Sequence, residues 1–158
     1  MLEIDNLKKT FDDIMNDADG IFHMAARARV QPSIEDPINS EKNNTQGTIN
    51  MLTSAKDSNV KRFVYSSSSS VYGGADELPT KETQPKSPKS PYAWQKASIE
   101  ELATIMSDLY ELDIVCLRYF NVFGPGQYAD GPYSTAVSSW CHAAKNDKTC
   151  RSDGDGTQ

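Results

Sequence analysis

Histidine and cysteine are scarce in this chain: its 158 residues hold two histidines, His23 and His142, and three cysteines, Cys116, Cys141 and Cys150. Neither histidine has a neighbour at metal-ligand spacing, so no metal site is expected. An odd cysteine count without motif spacing argues against a disulfide framework. It points instead to free thiols in a reducing, cytoplasmic setting. No apolar run approaches the roughly 20 residues of a membrane span, so no membrane partner is expected. The opening residues MLEIDNLKK are acidic before they are basic and lack an apolar core, which excludes a secretion signal. A basic stripe is missing as well. The net charge is -6, and the nearest candidate, Lys61-Arg62, is a short pair that reads as a solvated strand end. No nucleic-acid partner is expected. A glycine-rich phosphate turn is also absent: the close glycine pairs, Gly73-Gly74, Gly124-Pro-Gly126 and Gly154-Asp-Gly156, do not form the motif.

What is present is a folded α/β pattern. The length suits one ordinary domain, and aromatic and β-branched residues are spread along it. Ile4 to Met15 carries Leu7, Phe11 and Ile14 at helical spacing. Gly20 to Ala25 reads as a buried strand, with Ile21 and Phe22 between turn formers. A polar segment with Pro32 and Pro37 follows, and Ser40 to Lys56 reads as a helix. Val60 to Ser66 is a strand rich in β-branched and aromatic residues. Gly73 to Ser90 reads as a long loop, a kind that is usually functional. Ser90 is an expected N-cap with Pro91 at the first helical position. The helix should reach about Leu112, with Ile99, Leu102, Ala103, Met106 and Leu109 as its apolar stripe. Ile114 to Tyr119 is a further strand, and a last helix covers Ser134 to Lys145. Alternating strands and helices predict βαβ units and a parallel sheet.

The chemistry gathers at Tyr92-Ala-Trp-Gln-Lys96. Residues four apart share a helix face. A neighbouring ammonium favours a phenolate and is expected to lower the tyrosine pKa, which would make Tyr92 a usable general acid/base. The spacing alone is common, and Trp94 and Gln95 between the pair read as packing or surface. Context strengthens it: the serine run Ser66 to Ser70 closes a strand about two dozen residues upstream, and strand carboxyl ends form the ligand crevice of a parallel sheet. His23 reads as a buried strand-end histidine.

SSSSSVYG (Ser66 to Gly73), SPYAWQK (Ser90 to Lys96) and LRYFNVFGPGQ (Leu117 to Gln127) resemble the extended short-chain dehydrogenase/reductases, in particular the nucleotide-sugar 4-epimerases. HMAARARV (His23 to Val30), NNTQGTINML (Asn43 to Leu52) and VKRFVYSSS (Val60 to Ser68) match the same family in the same order. The resemblance implies a partial Rossmann-like, doubly wound parallel sheet with flanking helices, NAD as cofactor, a nucleotide-sugar substrate and a homodimer in the complete enzyme. It implies Tyr92 as catalytic base, Lys96 as its partner and ribose ligand, and Ser68 as the hydroxyl that shares the substrate's 4-oxygen. Ser70 and Asn121 would contact substrate. Met24, Ala25, Ala26, Ser66 and Phe120 would line the cofactor, with Asn43 or Asn44 nearby. Met24, Ala25 and Phe120 could equally be core, and Asn121 could cap a turn.

The resemblance also defines a departure. The family's phosphate turn lies between the first strand and helix, where backbone N–H groups hold the pyrophosphate. About two β–α units, on the order of 60 residues, are expected to precede Met1 in the complete protein. Residues 1–150 would be the partial NAD-binding domain, and 151–158 the start of a segment leading to a substrate domain. The related 4,6-dehydratases carry Asp-Glu directly after the catalytic hydroxyl, where this chain has Ser69 and Ser70. A truncated, non-catalytic binding remnant is the alternative of a different class.

Overall fold

A computed structural model of the chain describes residues 13–16, 18–74, 77–129 and 134–150. These fall into two compact units, Met1–Tyr119 and Phe120–Gln158, each described by itself. Residues 13–15 are helical. The rest of the helix expected over Ile4 to Met15 lies outside the described residues, as does the segment 151–158.

In the first unit, strands β1 (Gly20–His23), β2 (Arg62–Ser68) and β3 (Asp113–Tyr119) form a parallel sheet in the order β1-β2-β3. Phe22, Val64 and Val115 stand in register across it. Side chains alternate across a strand. The Phe63 and Tyr65 face of β2 is therefore buried, and it packs with Leu52, Ala55, Ile99 and Met106 in the main core. The other face carries Phe22, which is 76 % exposed among the described residues. Its expected burial is thus corrected: among the described residues β1 is one of two edge strands, and the described helices pack on the opposite face. At the amino ends of the strands, Lys61 pairs with Asp19 and Arg62 with Asp113, both pairs exposed.

Between β1 and β2 the chain forms helices α1 (Val30–Glu35), α2 (Pro37–Glu41) and α3 (Gly47–Asp57). A wide π-type turn, Lys42–Gln46, joins the last two. Pro32 and Pro37 do not break these helices, because both lie in a first turn, where no intrahelical N–H partner is needed. Asp36 caps α2 by accepting from Asn39 N at 3.1 Å. Helix α4 (Pro91–Tyr110) starts as expected: Ser90 Oγ accepts from Ala93 N at 3.1 Å, and Pro91 opens the helix. Glu111 ends it in the left-handed region. Ile99, Ala103 and Met106 are buried, whereas Leu109, expected in the same stripe, is 67 % exposed. It lies in the last turn, past the edge of the core it would need to reach.

In the second unit, helix α5 (Ala136–Lys145) begins with a reciprocal cap between Thr135 and Ser138. Its Val137, Cys141 and His142 face Phe123 and Pro125 across a cavity of about 480 Å³. Phe120 and Asn121 open this unit and are exposed rather than core.

Candidate active site

The site is assembled where β2 ends and α4 begins. Ser68 is the last residue of β2, and its hydroxyl accepts from Ser70 N at 3.2 Å to start a short 3-10 turn, Ser69–Tyr72. The same hydroxyl is close enough to the Tyr92 phenol to favour its ionised form. Tyr92 is the second residue of α4. Its backbone N–H, one of the orphan donors of a helix start, is satisfied by Ser33 Oγ at 3.0 Å. Lys96, one turn further on, is 4 % exposed and donates to the Ser66 carbonyl at 2.6 Å. Its Nζ lies 4.7 Å from the Tyr65 ring centroid and 5.8 Å from that of Tyr92. Ser66, Ser68, Tyr92 and Lys96 thus converge at the carboxyl end of the central strand.

Burial sets the electrostatics. It raises the Tyr92 phenol, against which the Ser68 hydroxyl works, and the net shift is upward. Burial pushes the Lys96 ammonium down to about 8. The expected lowering of Tyr92 by Lys96 is therefore corrected: desolvation raises the phenol, and it is Ser68 that works against the rise. His23 donates or accepts at Nε2 with Thr48 Oγ1 at 2.9 Å. Burial, and then the charge of Lys96, keep the imidazole low, as suits a buried strand-end histidine.

A family model described as the NAD dependent epimerase/dehydratase family matches residues 1–158. The chain belongs to this family. It is 40 % identical over 106 residues to the UDP-glucose 4-epimerase of Lacticaseibacillus casei, covering 67 % of this chain and 32 % of that one. The solved UDP-N-acetylglucosamine 4-epimerase of Methanobrevibacter ruminantium M1, in complex with UDP-N-acetylmuramic acid, superposes with a TM-score of 0.87 at 39 % identity. The match covers 94 % of this chain and 48 % of that one. A dTDP-glucose 4,6-dehydratase from Streptomyces venezuelae, with NAD bound, superposes with a TM-score of 0.80 at 30 % identity, covering 96 % of this chain and 46 % of that one. The chain therefore spans about a third to a half of the length of the proteins it matches.

The remaining family positions separate cleanly. Met24 and Ala25 follow β1 and are exposed, so they are not core; Ala26 is half-buried. The asparagine doublet is split. Asn43 is exposed and donates to Asn39 O at 2.7 Å. Asn44 is buried and clamps the loop after β1 at Arg27, accepting from its N–H at 2.7 Å and donating to its carbonyl at 3.2 Å. Ser70 Oγ is buried with no hydrogen-bond partner among the described residues.

Three positions emerge only from the structure. Gln95, read from sequence as packing or surface, is buried and accepts from Ser40 at 3.0 Å and from Asn44 at 2.8 Å. It joins the tyrosine helix to α2 and the wide turn, and through Asn44 to the loop after β1. Trp94 beside it is half-exposed, as read. Glu100 is 6 % exposed, accepts from Ser67 at 2.6 Å and is held by the Arg118 guanidinium, with Nη2 at 2.8 Å. Burial would raise this carboxyl, but the hydrogen bonds from Arg118 and Ser67 and the charges of Arg118 and Lys86 hold it below its usual range. The signal for Glu100 is its place one turn past Lys96 among apolar stripe residues. Nothing local in the sequence marks Ser33. Among the described residues no cluster of histidine, cysteine and carboxylates could hold a metal ion, and no described helix is long and apolar enough to cross a membrane.

Proposed function

We propose that this chain is the catalytic part of an NAD-dependent nucleotide-sugar 4-epimerase acting in carbohydrate metabolism. The observation that carries this reading is the meeting of Ser68, Tyr92 and Lys96 at the carboxyl end of β2. The residues present suit the nicotinamide side of the cofactor. An ammonium has three donors, and Lys96 uses one on Ser66, leaving others for ribose hydroxyls. Met24, Ala25 and Ala26 leave the end of β1 open, Asn44 fixes the loop beyond them, and Phe120 would pack near the nicotinamide. No glycine-rich turn in the sequence would hold the pyrophosphate.

Bound NAD supplies a hydride acceptor and donor at the sugar C4. Tyr92 takes the proton of the 4-hydroxyl and later returns it. Ser68 donates to the same oxygen, and Lys96 orients the ribose and favours the phenolate of Tyr92. Ser70, buried without a partner, and Asn121 would bind the substrate. Ser69 and Ser70 stand where the resemblance places the acid pair of the dehydratases, which favours epimerisation over elimination. Residues 1–150 would serve the cofactor domain and 151–158 lead toward a substrate domain. The exposed Trp94, Ile105 and Leu109 on α4 suit a homodimer of the complete, cytoplasmic enzyme. The test is a steady-state assay of the full-length enzyme on UDP-hexoses. Tyr92→Phe should lower kcat by about 10²–10⁴-fold with an unchanged melting temperature, and unchanged turnover would sink the assignment.

A further inference from the structure

We propose that Tyr65 is a positioning residue for Lys96, its ring face holding the buried ammonium in place and charged. This builds on the reading of Lys96 as the partner of Tyr92. Tyr65 lies on β2, three residues before Ser68, and is 1 % exposed. The Lys96 Nζ sits 4.7 Å from its ring centroid, nearer than to the Tyr92 ring. A cation over an aromatic face is attracted by the negative face of the ring, and most strongly where water is excluded. That attraction matters here because Lys96 has so little else. Its only hydrogen bond among the described residues goes to a neutral carbonyl, and no carboxylate pairs with it.

The groups around the pair sharpen the argument. Tyr92 faces Lys96 from α4, Tyr65 and the Ser66 carbonyl from β2, and His23 from β1. Cys116 on β3 lies against Tyr65. Burial raises Tyr65, Tyr92 and Cys116, and the Glu100 carboxylate, whose charge also acts on Tyr65, is held by Arg118 and Ser67 rather than by Lys96. The Tyr65 hydroxyl is itself buried with no hydrogen-bond partner among the described residues. A polar group so placed costs stability, so the value of this position lies in its ring. His23 is stacked on the same ring, with centroids 6.1 Å apart and planes 19° from parallel, which fixes the ring orientation and links the end of β1 to the ammonium.

The test reads Lys96 directly and needs no activity, so its failure and the failure of the epimerase reading are separable. The chain is labelled at lysine side-chain carbons, the Lys96 signal is assigned with Lys96→Met, and its titration is followed by NMR. Tyr65→Phe should titrate as the wild type does. Tyr65→Leu should lower the Lys96 midpoint by on the order of one pH unit. Should the leucine variant fail to fold, trifluorophenylalanine at position 65 keeps the shape while draining the ring face of charge. It should lower the midpoint in the same direction relative to Tyr65→Phe. An unchanged midpoint in the fluorinated variant, or an equal drop in Tyr65→Phe, would overturn the proposal.

Discussion

Lys96 concentrates the physics of the site in one side chain. Burial holds it at about 8 in the folded protein, against about 10.4 in an unfolded chain. Below pH 8 both states carry the proton, so the burial penalty is present in full. Between about 8 and 10.4 the unfolded state binds more protons, so stability rises with pH across that window, by on the order of 3 kcal/mol. Lys96→Met lacks this contribution. The stability difference between wild type and Lys96→Met, from urea melts, should therefore shift in favour of the wild type from pH 7.5 to 10. A difference that stays flat would show that the ammonium is not desolvated as the structure has it. The Tyr92–Lys96 pair and a hydroxyl near it were legible because a spacing of four on a helix and a serine run at a strand end are local features. Only the family resemblance singled out Ser68 and gave the three their roles. Gln95 was not legible, since its partners Ser40 and Asn44 are 55 and 51 residues away. Nor was the upward shift of Tyr92, because burial cannot be read from spacing.

The described part of the long loop before α4 is tethered to the rest of the unit, and one anchor is a glycine. Gly73 has a φ of +70°, and a Cβ there would stand 1.8 Å from the Ser87 carbonyl oxygen. Ser87 in turn donates its N–H to Val71 O at 2.9 Å. Arg118 reaches the same loop at the Glu82 carbonyl, 3.0 Å away, while gripping Glu100 and the Tyr72 hydroxyl. Gly73→Ala should cost at least about 1–2 kcal/mol from the left-handed backbone alone, with the clash added. Limited proteolysis should cut first between Gly73 and Ser90, and a variant as resistant as the wild type would refute this tether. At this scale strong periodicity served well: α3, α4 and all three strands lie where the apolar patterns put them. The short helices α1 and α2 escaped because prolines at first-turn positions look like breakers until the flanking backbone is seen.

On the proposed reading, the described residues supply the nicotinamide side of a cofactor crevice, and the sequence contains no motif for the other side. Phosphate binding needs several backbone donors aimed at one place. Calorimetric titration of this chain with NAD should therefore show no saturable binding in the micromolar range. Stoichiometric binding competed by NADH would show that the chain holds a complete site. The parallel α/β class was legible from alternation, while the exposure of Leu109 was not, since where the core ends is not a local property. The wide turn at Lys42–Gln46 carries a consequence for chain length. An α-helix advances about 100° per residue, so side chains four apart drift by about 40° at each step. Ser40, Asn44, Thr48 and Leu52 are spaced by four and all buried, a run that a regular helix would swing through about 120°. The bond from Gly47 N to Lys42 O widens the turn and absorbs part of that swing. Deleting one residue of the Asn43-Asn44 doublet would remove the residue that the wide turn accommodates, restore regular winding and bring the Leu52 half about 1.5 Å closer along the axis to the Ser40 half. The contact with Gln95 and the seat of Leu52 in the core are therefore held in phase by a residue count.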